Sequence, residues 1–312
     1  MIKDFEADRA CLHMDKLRNK RLQQNQLPRR RLPKVVYKPE SQLRHPVQLF
    51  KEMRRDLFAS RELAWQLLVR NISAQYRQSF LGIFWALIPP IVTAAGFTFA
   101  SKANIVNIGA TDLPYPAYVM FSMALWQTFT EALNAPVQAI TSAKQMLAKI
   151  NFPREALILA KLGEVFFNFG IKLILIVALF LWFRIPVTWT AILAPVALIQ
   201  LVLLGTFFGL LLAPLGALYN DISKGLTLVV GFWLFLTPVV YPIPKGEGLA
   251  ITLVQLNPVT PLLVTTRELA TTGVVSNPYG FWVASLIAIV GLFLAWLVYR
   301  LAMPFVIERI SS

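Results

Sequence analysis

From Ile185 to Asn220 the chain runs 36 residues without a charged side chain, and the 24 residues from Gln78 to Ser101 are equally charge-free. About 20 helical residues, at ~1.5 Å each, cross the hydrocarbon core of a bilayer. Runs of this length therefore read as membrane spans rather than as the core of a soluble domain. Only 15% of the 312 residues are charged, against about 25% in soluble domains, which excludes an ordinary soluble globule. The charge is also unevenly placed. Residues 1–58 hold 15 of the 30 Lys+Arg and 7 of the 16 Asp+Glu. A basic, polar head precedes a long apolar body.

Residues 1–56 read as a disordered cytoplasmic arm. Its middle, Gln23 to Pro33, is polar, basic and broken by Pro28 and Pro33, and no apolar periodicity survives there. Basic tails of this kind orient membrane proteins and attract anionic headgroups. That reading is preferred to a nucleic-acid or protein-docking arm, and no nucleic-acid partner is expected. Cys11 is the single cysteine and His13 and His45 are the two histidines, all in the head. The first long apolar run begins near Phe80, so the first span is expected to direct its own insertion.

At 100° per residue, residues 58–78 sort into two faces. Trp65, Leu68, Val69, Ile72 and Tyr76 fall on one side; Gln66, Arg70, Ser73 and Arg77 fall on the other. Such a helix suits the membrane–water interface. The residues beyond it, 57–312 with the helix included, are expected to form one all-α transmembrane domain of six spans. These lie at about 80–101 (kinked by Pro89-Pro90), 115–140, 157–183, 188–213, 225–243 and 279–302. Segment 245–278 is broken at Asn257-Pro258 and Pro261 and carries Arg267 and Glu268. It reads as two short helices that dip into the outer face and return; a seventh span is the other reading. With six spans, 25 Lys/Arg fall on the side of the termini and 4 on the other. Both termini are therefore expected in the cytoplasm.

No phosphate-binding G-x-x-x-x-G-K-[ST] loop occurs in the sequence, so ATP hydrolysis by that route is not expected of this chain. No His/Cys/Asp/Glu spacing fits a metal site, and no cofactor or catalytic residue is assigned. Asp112, Glu247 and Glu268 are isolated outer carboxylates, the only handle for the alternative reading, a polytopic glycosyl- or phosphoglycosyl-transferase. Within the spans, Glu164, Asn168 and Lys172 follow one helix face, with Glu131 near the depth of Glu164. Ionisable groups in hydrocarbon need partners or water. The strip is either a translocation lining or interhelical glue. The loop 141–156, around Lys149, Ile150, Asn151, Phe152, Pro153, Arg154 and Glu155, is basic and amphipathic and asks for a cover.

Four stretches then resemble a known family in order and spacing: Gln75 to Pro89, Leu147 to Glu155, Tyr219-Asn220-Asp221-Ile222 (with Asn220 where Arg is usual) and Asn257-Pro258-Val259-Thr260. The family is the membrane (permease) subunit of ABC transporters that export polysaccharides such as O-antigen, teichoic acid and capsule. The resemblance covers residue 58 to the C-terminus. It implies a homodimer in the bacterial inner membrane above two separate ATPase subunits, which carry ATP-Mg. It further implies that Lys149, Ile150, Phe152, Pro153, Arg154 and Glu155 form the coupling element, that 58–78 is a gate helix, and that 245–278 is re-entrant. A lipid-linked glycan is the expected substrate. Arg70 and Arg77, beside Tyr76, are expected to meet its phosphates. Phe84, Trp85, Trp126, Phe129, Phe166, Phe167 and Phe169, with Glu164, Asn168 and Lys172, are the candidates for the channel lining.

Overall fold

A computed structural model describes residues 46–77, 80, 82–103, 109, 111–149, 152–244, 246 and 248–311. The arm at 1–45, Ile150, Lys245 and Glu247 lie outside the described residues, as does the side chain of Lys149. The chain divides into two compact units, 1–52 and 53–312. In the first, the described residues 46–52 are helical. In the second, every regular element among the described residues is helical.

Helix α1 spans Pro46–Arg77, beginning well before residue 58, inside the stretch expected to be disordered. Proline suits the first helical position, and no Gly or Pro interrupts the chain from there to Arg77. A 3-10 turn, Gly82–Ala86, follows, then α2, Ile88–Lys102. Pro89 and Pro90 occupy the first turn of α2, where the missing N–H groups cost nothing. They start the helix; the expected kink in a longer span is not there. Next come α3 (Tyr115–Ser142), the short α4 (Lys144–Lys149) and α5 (Glu155–Trp182). A second 3-10 turn, Trp189–Leu193, leads into α6 (Ala194–Leu218).

Helix α7, Asp221–Phe235, is shorter than the fifth span expected at 225–243. The residue before a proline avoids helix, and Thr237-Pro238 follows directly. The segment expected to be re-entrant forms α8 (Leu249–Leu256) and α9 (Val259–Ala270), divided at Asn257-Pro258. The last helix, α10, is Pro278–Ser311. Among the described residues, three stretches are long and apolar enough to cross a membrane: Glu155–Trp182, Trp189–Leu218 and Pro278–Ile310.

Helix α6 is central, packed against α3, α9 and α10. The approach to α3 is close. A Cβ on Gly205 would lie 2.7 Å from the Phe129 carbonyl oxygen, and one on Gly209 would strike the Leu133 carbonyl. Small residues four apart let membrane helices touch backbone to backbone. Two apolar clusters result. One joins Phe121, Trp126 and Phe129 of α3 to Leu201 and Leu204 of α6 and Leu262 of α9. The other joins Ala64 and Leu67 of α1, Ile140 of α3, Leu157 of α5, Ala213 of α6 and Tyr299 of α10.

Asn257 explains the break between α8 and α9. Its Oδ1 accepts from Trp233 Nε1 (3.0 Å) and from the Val259 N–H (3.1 Å); its Nδ2 donates to Thr237 Oγ1 (2.9 Å) and to the Leu236 carbonyl (3.2 Å). One buried amide thus caps α9 and ties it to the end of α7. At the other end of α9, Thr190 and Thr188 donate to the carbonyls of Leu269 and Thr271, at 2.9 and 3.0 Å, satisfying groups a helix end leaves open. Gly273 follows with φ +78°; a Cβ there would lie 2.9 Å from Thr190 Oγ1, so only glycine fits without strain.

Candidate functional site

The face of α1 turned toward the fold is Met53, Ser60, Ala64, Leu67 and Asn71, spaced three, four or seven apart. Trp65 and Val69, on the apolar face expected at the membrane–water interface, lie off the packed face: Trp65 is 66% exposed and Val69 is also exposed. The small residues Ser60 and Ala64 permit close approach, leaving the bulky apolar pair on the flank, where a membrane interface suits an aromatic ring. Leu68 lies so near α5 that a Cβ on Gly163 would be 2.8 Å from its Cδ2. In the third turn of the helix, Asp56 accepts from Arg300 at 2.8 Å.

Asn71 and Tyr76 bind α1 to the polar strip of α5. Asn71 Nδ2 donates to Glu164 Oε1 at 2.8 Å, and Lys161 Nζ pairs with Glu164 Oε2 at 2.6 Å. The Tyr76 hydroxyl donates to Asn168 Oδ1 at 3.0 Å. Asn168 Nδ2 in turn donates to Glu131 Oε2 of α3 at 3.3 Å. The other oxygen of Glu131 lies 2.6 Å from Lys172 Nζ. Lys172 is 1% exposed and Glu131 32%. The strip is therefore ion-paired and shared by three helices, with every charge matched as a low-dielectric setting demands. Burial, and then the charges of Glu131 and Glu164, push the Tyr76 phenol above its ordinary pKa, so it stays a hydrogen-bond donor.

The aromatic candidates divide. Trp85 and Phe84 are exposed on the 3-10 turn, and Phe166 and Phe167 are exposed on α5. Trp126 and Phe129 are core residues; Phe129 packs edge-on against Trp233 at 5.4 Å between ring centres. Neither offers a face to a passing ligand, which corrects their assignment to a channel lining. Their spacing places them on the α3 face that α6 and α7 cover. Arg70 and Arg77 are exposed; among the described residues, Arg70 reaches only Asn71 Oδ1, at 3.3–3.4 Å.

In the loop expected to couple to a partner, Phe152 is half-buried against the cluster around Tyr299 rather than bare. Glu155 lies 3.7 Å from Arg300 Nη1, inside the fold. Pro153 and Arg154 are half-buried. Lys144, at the start of α4, reaches Asn220 Oδ1 at 3.4 Å, bringing the 219–222 motif beside the loop. Glu268, a candidate base in the transferase reading, accepts from the Ser276 N–H at 2.9 Å and closes a turn.

A cleft of about 680 Å³ lies between α1, the C-terminal half of α3, α4 and the N-terminal half of α5. Sequence reasoning missed it. Its signal was the α3 stripe Gln127, Glu131, Asn134, Gln138 and Ser142, at spacings of three and four.

The profile of the ABC-2 type transporters matches residues 62–270, two-thirds of the chain. The chain belongs to that family. It is thus a membrane subunit of an ABC transporter, and the motifs of α1, the 147–155 loop and the 219–222 turn fall inside the matched range. Among its relatives, the chain is similar to the O-antigen export system permease protein RfbA of Myxococcus xanthus, 26% identical over 215 residues, covering 67% of this chain and 80% of that protein. It is also similar to the O-antigen export system permease protein RfbA of Klebsiella pneumoniae, 22% identical over 217 residues with the same coverage.

Proposed function

We propose that this chain is the transmembrane subunit of an ATP-driven exporter moving a lipid-linked polysaccharide from the cytoplasmic to the outer side of the bacterial inner membrane. The observation that carries the reading is the similarity of 67% of the chain to an O-antigen export permease. The working unit is a homodimer of six-span subunits on two ATPase subunits, which hold ATP-Mg; this chain binds no cofactor. Helices α2 and α7, at 15 residues each, are about 22 Å long, short of the ~30 Å core. The 3-10 turn before α2 and the segment after α7 complete their crossings, shielded by protein or facing water. Both termini are cytoplasmic, α8 and α9 are re-entrant from outside, and α1 lies at the inner interface. Arg70 and Arg77 on α1 attract the carrier phosphates. The loop from Lys149 to Glu155 transmits closure of the ATPases. The engagement of Glu268 within its own turn and the permease relatives both weigh against a transferase.

The experiment is deletion of the gene from its host. Glycan should vanish from the cell surface while lipid-linked glycan accumulates inside, and the chain should co-purify with an ATPase. Unchanged surface glycan in the deletion strain overturns the reading.

A further inference from the structure

The wall of the cleft beneath α1 carries Asn71, Gln75, Gln138, Ser142 and Asn168. Its volume of about 680 Å³ falls within the ~300–1,000 Å³ of small-molecule sites. Among the described residues, the side-chain amides of Gln75 and Gln138 have no hydrogen-bond partner. Asn71 and Asn168 are held but not saturated: each gives one amide hydrogen, to Glu164 and to Glu131 respectively. A side-chain amide has two donor hydrogens and two acceptor lone pairs. The wall therefore presents paired donors and acceptors, the complement of adjacent hydroxyl groups.

The charges of the cleft are partly neutralised. Lys161 and Glu164 line it, and they pair at 2.6 Å. Arg70 also lines it, exposed and hydrogen-bonded to Asn71 Oδ1, so a carrier phosphate can be met there beside the sugar that the amides hold. The floor is Leu67, Ala139, Ala143 and Ala160, small and apolar, fit for the C–H face of a sugar ring. Among the described residues no aromatic lines the cleft, so recognition there rests on hydrogen bonds.

Gln138 and Ser142 also begin the α3 stripe that continues through Asn134, Glu131 and Gln127, each half-exposed. In a membrane helix such a stripe faces water or protein, not lipid.

We propose that the cleft is a saccharide-binding site, holding a sugar segment of the glycan through the amides of Gln75, Gln138 and Asn168 and the hydroxyl of Ser142. The α3 stripe continues the site toward the membrane interior. The proposal rests on the export reading given above and adds to it the place where the sugar, as distinct from the lipid phosphate, is bound.

The test uses the full chain with its ATPase in cells, with Cys11→Ser as background and Gln138→Cys or Gln75→Cys as reporter. Both positions are exposed, so neither change threatens folding. Labelling by a membrane-permeant maleimide is timed in three hosts. One accumulates full glycan behind an inactive ATPase, one makes only the sugar-free carrier phosphate, and one makes neither. Several-fold slower labelling in the first host alone is the expected result. Equal rates in all three overturn the site. Equal protection by the sugar-free carrier overturns the saccharide assignment in favour of a headgroup. If deleting the chain leaves surface glycan unchanged, the export reading itself fails. If export depends on the chain but both reporters label at one rate, only the cleft proposal fails.

Discussion

Lys172 Nζ sits 2.6 Å from Glu131 Oε1, while the second oxygen of the same carboxylate accepts from Asn168 Nδ2 at 3.3 Å. The ionised carboxylate thereby fixes which way the Asn168 amide points, and its Oδ1 is left facing the Tyr76 hydroxyl at 3.0 Å. A charge pair between α3 and α5 thus sets the docking of α1.

Lys172→Met removes the cation and leaves Glu131 charged at membrane depth. Breaking a buried pair costs roughly 3–5 kcal/mol. Here about 1–3 kcal/mol is expected, because Glu131 is 32% exposed and solvent offsets part of the loss. The double change Lys172→Met with Glu131→Leu should recover most of it. Thermal unfolding in detergent gives both values; a double variant no better than the single one refutes the pairing.

Tyr76→Phe deletes one hydrogen bond to Asn168, worth about 0.5–1.5 kcal/mol, while the ring keeps its neighbour Phe167 at 6.0 Å. Cleavage by trypsin at Arg70 and Arg77 should quicken. The pH response follows from the phenol's raised pKa. A raised folded-state pKa keeps the contribution whole below the unfolded value of 10.0 and loses it only as pH rises through the higher folded value. Wild-type protection should therefore be level from about pH 6 to 9.

Gly209→Ala places a methyl group against the Leu133 carbonyl, a backbone atom that cannot swing aside. The expected loss is about 1–3 kcal/mol or more. Gly170 and Gly231 have nothing within 4 Å of a built Cβ. Alanine at either should be neutral or stabilising by up to ~1 kcal/mol. Equal melting temperatures for Gly209→Ala and Gly231→Ala would disprove the close α3–α6 contact.

Phe152→Ala should cost about 1–2 kcal/mol of packing, since the ring is only half-buried in its own chain. It should also reduce ATPase co-purification or export per ATP hydrolysed. Glu155→Ala should chiefly loosen α10 through Arg300, because that carboxylate is engaged within the fold, and should weaken the partner contact less than Phe152→Ala does. Reversed phenotypes would move the coupling surface away from Phe152.

The sequence by itself determined that this is an all-helical membrane chain with a helix ahead of the first apolar run. Charge-free runs and a 3.6-residue period are local properties, and they placed α3, α5 and α10 within a few residues at all but the C-terminal end of α10. The split at Asn257-Pro258 was equally legible, because proline leaves its mark on its neighbours alone. Which face of a helix is covered, and by what, was decided in three dimensions. The period gathered Trp65 and Val69 on one apolar face without saying what covers it; Ser60, Ala64 and Leu67 make the contact to the fold, because the small side chains of Ser60 and Ala64 allow α1 to come closer. Trp126 and Phe129 looked like a lining and became core once Gly205 and Gly209 let α6 lie against them. Glu131 and Lys172 are 41 residues apart in the chain. Their pairing depends on the rotation of two packed helices about their own axes, which the period of either helix alone leaves undetermined.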